Sequence, residues 1–549
     1  MSKAERDAVT LIYLDEDFDY CDRVKSIQGI EYFPQVTEIY FRYWSELQNY
    51  VDLSRNTKLT IFDTNMTKIS AISFPKSIKN IDFASEKIGT LSFQTQTELE
   101  SLSLYSPSLK YLYTNNCKKL SNLYVSGCEN LLQFDISDNT QLETLDISGC
   151  KHLDYNIRKS FLEVGLPKLT KLKTLKCSNV AFWELKPTNS PDLETLYCDH
   201  CQILDLDLSN NTKLKTVDCS YNPMQWLTMP TSFPYLKRLD IQGCWLMNDQ
   251  ISDIVWALPQ AGENDTRVLT LYDSDMSEHN EVTSLDIYVA SNSSMNNWTC
   301  QYVSHSGSST TRKDYNLDNY IWPGQLPSGA MSYVGTQLPI KVNTYPFSIL
   351  DFEFDLILPR YFTLMELNDK FLVESGNEEQ VPTANIKVEF TGTVPNTDAK
   401  IYHIKASVKN RQRGAVFNGN DVLKLWMVST VGNVNAENWM ARVINCKMHT
   451  VASSEEIDTG PVCNWLTLDW LGDVNGDGKV TPADAIMMLY NYFGVDQTDF
   501  NVKLADVNLD GNYSPADAIQ ALYMYFGDDL NNFSRQKKDV KNVDDVEPE

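Results

Sequence analysis

One apolar spacing recurs through the first half of the chain and dictates most of what that half can fold into. Three apolar residues repeat with two residues inside the first interval and one inside the second. They run Val36/Ile39/Phe41, Ile69/Ile72/Phe74, Leu99/Leu102/Leu104, Leu120/Leu123/Val125, Leu131/Phe134/Ile136 and Leu142/Leu145/Ile147. After an insertion they resume at Leu172/Leu175/Cys177, Leu193/Leu196/Cys198, Ile203/Leu206/Leu208, Leu214/Val217/Cys219 and Leu236/Leu239/Ile241. Adjacent triads lie 10 or 11 residues apart, so two steps make a coil of 21–22 residues. One such coil has no way to bury its apolar edge alone. Stacked about 4.8 Å apart, coils merge into a continuous parallel sheet, here on the order of 40 Å long.

This solenoid pattern resembles the leucine-rich repeats common in surface proteins of Bacteroidetes, over residues 31–303, with 1–30 as an N-terminal cap segment. Asn139 and Asn222 are placed to hydrogen-bond neighbouring backbone along the stack. Cys177, Cys198 and Cys219 fill the third triad position as small buried hydrophobes. Nine of the 12 cysteines precede residue 245, so stacking accounts for most of them without a disulfide framework. Cys198, His200 and Cys201 bring two thiols and an imidazole together, but tetrahedral zinc wants a second ligand pair and none follows. The segments Ile254–Pro259, Glu278–Val282 and Ala290–Trp298 resemble the closing cap such a stack needs. Tyr111, Tyr113, Tyr124, Tyr197 and Trp226 fall near triad positions, either exposed to hold a peptide or sugar ring or covered by flanking coils.

The second constraint is a loop that occurs twice, 33 residues apart. A calcium loop of the EF-hand type places oxygen ligands at positions 1, 3, 5, 9 and 12, a backbone carbonyl at 7 and glycine at 6. Asp473, Asn475 and Asp477 supply the first three, Gly478 the turn, Lys479 the carbonyl, Thr481 the ninth position and Asp484 the last. Asp506, Asn508, Asp510, Gly511, Asn512, Ser514 and Asp517 repeat these roles. Both closing residues are Asp rather than Glu, and no helix of ordinary length precedes either loop. Paired loop-helix units of this form resemble a dockerin module, a small all-α calcium-binding domain, here over residues 467–528. The resemblance implies two calcium ions and a cohesin partner, in cis or in trans. It also places recognition positions at Pro482-Ala483 and Pro515-Ala516, where the family carries a Ser-Thr type pair.

The helices after the loops, read as Ala485–Phe493 and Ala518–Phe526, carry Ile486, Leu489, Tyr490, Tyr492 and Phe493, and then Ile519, Leu522, Tyr523, Tyr525 and Phe526. That is more apolar surface than two helices bury against each other. One face is therefore expected to pack on the preceding domain, through Trp465 and Trp470, as one rigid C-terminal unit.

Between the two periodic regions, residues 304–329 carry turn and linker chemistry. Residues 330–466 then alternate apolar and polar residues at Leu338–Val342, Phe347–Leu358, Ile386–Phe390, Ile401–Val408 and Val422–Val428, the pattern of an all-β sandwich. Phe352–Leu358 with Phe417–Leu425 resembles cohesin-like and related carbohydrate-binding sandwiches. The tail, 529–549, has too few apolar residues to order itself.

Net charge narrows the partners. With 47 Lys and Arg against 73 Asp and Glu, a charge of −26 repels phosphate backbones, so nucleic acid is excluded. No run reaches 18 apolar residues and the first residues lack the apolar core of a signal peptide. Calcium loops of weak affinity, about 10⁻⁴–10⁻³ M, suit the outside of a cell, so an exported protein with its leader trimmed is expected. Six scattered His, with no zinc-protease motif, nucleophile elbow or phosphate loop, give no catalytic constellation. The expected function is non-catalytic recognition of a protein, peptide or glycan at a bacterial cell surface, as a secreted protein or outer-membrane lipoprotein, beside a nutrient importer in polysaccharide utilisation. A structural component docked by dockerin–cohesin contacts is the alternative, and a polysaccharide-degrading enzyme the outsider.

Overall fold

A computed structural model describes the chain except for residues 15–24, 42–45, 154–157, 160, 263, 275–278, 307–308, 316–318, 328–329, 333, 345–346, 396, 430–438, 452–455, 467, 469–470, 478, 496, 498–499, 509–510 and 527–549. Gly478, Asp510, Trp470 and the tail thus lie outside the described residues. The chain divides into two units, Met1–Tyr315 and Asn316–Glu549.

In the first unit, helix α1 (Lys3–Arg6) precedes a sheet of fifteen strands among the described residues. Through its middle the strands run parallel and in register: Leu123 pairs with Leu145, Leu145 with Leu175, Leu175 with Leu196, Leu196 with Val217 and Val217 with Leu239. Each of these side chains is fully buried. The polar neighbours on either side, such as Thr144 and Asp146, point outward, as the period of two requires.

The triads do not all enter this sheet. Alternate half-steps turn to the opposite flank, where Gln133–Asp135 pairs with Tyr111–Tyr113 and Asp205–Asp207 with Trp226–Thr228 in two separate three-stranded sheets. Where both are present, a coil is a flattened loop with one edge in the long sheet and one in a short sheet. Both edges need an inward apolar residue at the same spacing, so spacing alone does not distinguish them. The coils at Ile78/Ile81/Phe83 and Ile88/Leu91/Phe93 have the same spacing, extend the series and are also buried.

Polar ladders hold the coils in step. Asn222 Oδ1 accepts from the amides of Cys201 and Ile203 (2.8 and 3.1 Å), and its Nδ2 donates to the carbonyls of Cys198 and Cys219 (2.8 Å each). In the same column Cys128, Cys150, Cys201 and Cys244 donate Sγ–H to carbonyls one coil back, at Leu104, Val125, Cys177 and Cys219. On the other flank Asn139 Nδ2 bonds the carbonyls of Thr114 and Cys117, and Asn211 those of Pro187 and Ser190. These groups satisfy backbone that the turns leave unpaired, where an orphaned buried polar group costs about 1–3 kcal/mol.

Helices α2 (Asn248–Ala257) and α3 (Ser284–Ser291) cover the end of the stack. Asp286 caps α3 from within and also receives Asn248 Nδ2 (2.8 Å) and Ser252 Oγ (2.7 Å) from α2. Part of the segment expected as linker is strand instead. Thr299–Ser306 joins the long sheet and Ser309–Asp314 folds back on it antiparallel, pairing Ser304 with Thr311. The turn-rich composition of this stretch belongs to a hairpin.

The second unit opens with two antiparallel sheets. One contains Tyr320–Pro323, Thr336–Asn343, Asn418–Ser429, Phe362–Leu364 and Val373–Ser375. The other contains Ile386–Thr393, Lys400–Ser407, Ile349–Leu358, Met440–Thr450, Glu456–Thr459 and Val462–Trp465. Leu338, Ile340, Leu425 and Met427 of the first share one buried cluster with Phe352, Phe354, Ile404 and Val443 of the second. Helices α4 (Pro482–Tyr492) and α5 (Pro515–Phe526) follow, each three residues longer at its start than expected. In α4, Thr481 is the N-cap and Pro482 enters at the first helical turn, where its missing N–H costs nothing.

Candidate calcium-binding and docking site

Both loops wind around their acids. In the first, Asp473 is buried and its Oδ1 accepts from the amides of Gly476 (2.9 Å) and Asp477 (3.2 Å). Asn475 Oδ1 takes the Asp477 amide (2.9 Å) and Asp477 Oδ1 the Lys479 amide (3.0 Å). Asp484 is fully buried: Oδ1 accepts from the Val474 and Asn475 amides (3.1 and 3.3 Å), Oδ2 from the amide and hydroxyl of Thr481 (2.8 and 3.0 Å). The closing acid is thus also the capping box of α4, tying the loop's two ends to the helix it starts.

The second loop repeats this. Asp517 is fully buried, with Oδ1 on the Asn508 amide (3.0 Å) and Oδ2 on the Ser514 amide and hydroxyl (2.8 and 3.1 Å). Asp506 Oδ2 accepts from Gly511 (2.9 Å), which sits at φ +84°. Asn512 lies in the turn beside Gly511. Among the described residues no three acidic, His or Cys side chains converge as on a metal ion, since each closing Asp is turned to backbone amides. The donor set fits a hard cation nonetheless: carboxylate, amide, hydroxyl and carbonyl oxygens only, with Asp473 and Asp484 of the first loop and Asp517 of the second drawn out of solvent.

The helices pack α4 on α5 over a small core of Val474, Val480, Met488, Leu504, Val507 and Ala521. Among the described residues, the predicted cover leaves part of their outer face open. Ile486, Tyr490 and Tyr492 of α4, Phe493 at its C-cap, and Ile519 and Tyr525 of α5 are exposed. The contact with the preceding sheets is made elsewhere: Met331 packs against the loop-helix core and Ser332 Oγ accepts from the Leu471 amide (3.2 Å). Trp465 stands in the sheet opposite Met440, and Trp470 lies outside the described residues.

On the solenoid the five aromatics do not share a face. Tyr124 and Tyr197 stand in one outward row of the long sheet. Tyr111 and Tyr113 belong to one short sheet and Trp226 to the other. His200 stacks on Tyr221 (4.5 Å) while Cys201 points inward, so the imidazole and thiols part company as ladder packing requires. Burial pushes the Cys117 and Cys128 thiols up to about 11 and the Asp218 and Asp240 carboxyls upward. Near the start of the long sheet lies a shallow cavity of about 490 Å³ that sequence reasoning missed, its floor set by the overlooked coil at Ile81.

Residues 471–520 match the dockerin type I domain family. No curated protein matches the chain. Solved structures similar to it include a cohesin module of a family 33 glycoside hydrolase from Clostridium perfringens, at 10% identity and TM-score 0.20, covering 28% of this chain and 97% of that one. The functional domain of InlJ from Listeria monocytogenes, which includes a cysteine ladder, is 13% identical with TM-score 0.33, covering 85% and 92%. An internalin, inlF, from the same species is 17% identical with TM-score 0.34, covering 55% and 82%. Dockerin domains bind calcium and pair with cohesin partners, and among the described residues no helix is long and apolar enough to cross a membrane. The chain therefore carries a dockerin type I domain at its C-terminus, behind a β-solenoid of leucine-rich-repeat form.

Proposed function

We propose that this is an extracellular, non-catalytic recognition protein whose solenoid binds a protein partner and whose dockerin module docks it, in trans, onto a cohesin. Two calcium ions would sit in the loops. Asp473, Asn475, Asp477, Thr481 and Asp484, with the Lys479 carbonyl, would hold one. Asp506, Asn508, Asp510, Ser514 and Asp517, with the Asn512 carbonyl, would hold the other. A bound divalent cation supplies the positive charge that offsets clustered carboxylates. The residues do the rest: Asp484 and Asp517 couple each loop to its helix, and the loops set the angle at which the helices present their outer face. The two-sheet domain reads as a β-sandwich spacer.

One observation carries the docking half of this reading. The exposed apolar positions recur with the loops, Ile486 with Ile519 and Tyr492 with Tyr525. A partner recognising one copy therefore meets nearly the same surface in the other, and the contact by Met331 and Ser332 leaves both open. The test immobilises the full chain and passes a cohesin module over it in millimolar calcium and again in chelator. Capture in calcium that is lost in chelator supports docking. No capture in calcium, or capture indifferent to chelator, overturns it. A protein that stays on the solenoid after chelation supports the recognition half, and loss of every solenoid partner on chelation overturns that half.

A further inference from the structure

The two halves of the C-terminal module repeat 33 residues apart, so Leu471 corresponds to Leu504, Gly472 to Ala505 and Asp473 to Asp506. Beyond these positions the halves run alike: Asp484 and Asp517 each close a loop onto backbone amides and onto the hydroxyl of Thr481 or Ser514. Ahead of them the halves differ. The second loop follows a tight helical turn, Val502–Leu504, in which the Leu504 amide donates to the Asn501 carbonyl (3.1 Å) and the Ala505 amide to the Val502 carbonyl (3.2 Å). Asn501 caps this turn, its Oδ1 accepting from the Lys503 amide (3.2 Å), and Leu504 belongs to the core beneath α4 and α5. The second half therefore carries its own brace.

The first half borrows one. Leu466 is part of the core of the two-sheet domain and Leu468 packs against it, so four residues separate that domain from Asp473. Leu471 is buried, and its amide donates to Ser332 Oγ (3.2 Å), whereas that of Leu504 stays within its own turn. Ser332 is itself fully buried. Its two predecessors divide between the cores, Ala330 packing on the sheets and Met331 on the helices. Gly472 then turns at φ +99°, against −87° at Ala505, and a Cβ there would lie 3.1 Å from Val480. Only glycine adopts that left-handed turn freely, so the Ala-to-Gly difference between the halves follows from a chain arriving out of the sheets rather than out of a helical turn.

We propose that Met331 and Ser332 are positioning residues for the first calcium loop, supplying from the two-sheet domain the brace that the second half carries in its own chain. This rests on the loops holding calcium, and adds that the two sites depend on different parts of the protein. A loop held at its start is already shaped before a cation binds, so less ordering entropy opposes binding. Without the brace the buried Leu471 amide loses its acceptor and the ordered loop becomes harder to reach. The Gly472 amide also donates to the Leu504 carbonyl and the Asn501 amide to the Val474 carbonyl (2.8 Å each), so the halves are stitched together and the informative quantity is the ratio of their affinities.

The test follows hydrogen exchange of the full chain across a calcium titration. Protection is read separately at Gly476, Asp477 and Lys479 in the first loop and at Asn508, Gly511 and Ser514 in the second, giving each loop its own midpoint. In Ser332→Ala the first midpoint is expected to rise about tenfold relative to the second. Met331→Ala keeps the hydroxyl but withdraws the packing, and should move the ratio in the same direction. Protection at Leu425 and Val443 reports whether the two-sheet domain stays folded, and where one variant disturbs it the other supplies the ratio. A ratio unchanged in the folded variants, or a shift confined to the second loop, would overturn the brace while leaving the calcium reading in place. Protection of both loops that is indifferent to calcium in the unaltered chain would overturn the calcium reading, and the brace with it.

Discussion

At the scale of single residues, the solenoid is held by side chains that act as backbone. Asn222 closes four bonds across two coils with no exposure to water. Asn222→Ala is expected to cost about 3 kcal/mol, because it orphans buried amides and carbonyls together, read as a lowered urea midpoint. The ladder thiols make a second prediction. Burial raises Cys128 to about 11 and Cys150 higher still, so at pH 8 they are protonated and enclosed, and a thiol reagent should label them only as the chain unfolds. Asp218 makes a third. Its folded pKa lies above the ordinary 3.8, chiefly through burial, so its ionisation detracts from stability above that raised value. The deficit fades as pH falls through the raised value toward 3.8. Asp218→Asn keeps an oxygen for the Ser220 amide and hydroxyl. It should therefore raise the melting temperature at pH 7 and lose that advantage in acid.

At the scale of elements, what could be read in advance depended on whether a local rule had one structural answer. The loop spacing marked where the first loop closes, at Thr481 and Asp484, but not that these two side chains also cap the helix, which therefore begins at Pro482, three residues before the expected start. The triads had two answers, since an inward Leu at the edge of the long sheet looks the same as one in a short sheet. The early hollow went unread because Asp63 and Asp82 are outward residues, identifiable only once Phe62 and Ile81 are placed as inward. The helix faces were legible only in part, because surplus apolar surface does not say which positions are covered. Ile486, Tyr490 and Ile519 remain exposed, and the sheets reach the module through Met331. Ile486→Glu with Ile519→Glu should therefore leave calcium affinity and helix content unchanged while weakening cohesin capture at least about tenfold, since it puts charge at the centre of an apolar contact. A loss of helix content instead would mean these side chains support the fold.

At the scale of the whole molecule, two kinds of order coexist. The solenoid is stabilised along its length by register, buried leucines and ladders that need no ion. The dockerin module has a small core and loops whose clustered carboxylates repel one another when no cation is present. Stability should therefore separate: chelation lowers only the transition of the C-terminal module, and the solenoid melts as before. Hydrogen exchange of the full chain with and without calcium tests this most directly. The account predicts that amides of α4, α5 and both loops lose protection when calcium is removed, while amides along Leu123, Leu145, Leu175, Leu196 and Val217 are unchanged. Protection in α4 and α5 that is indifferent to chelator would contradict it.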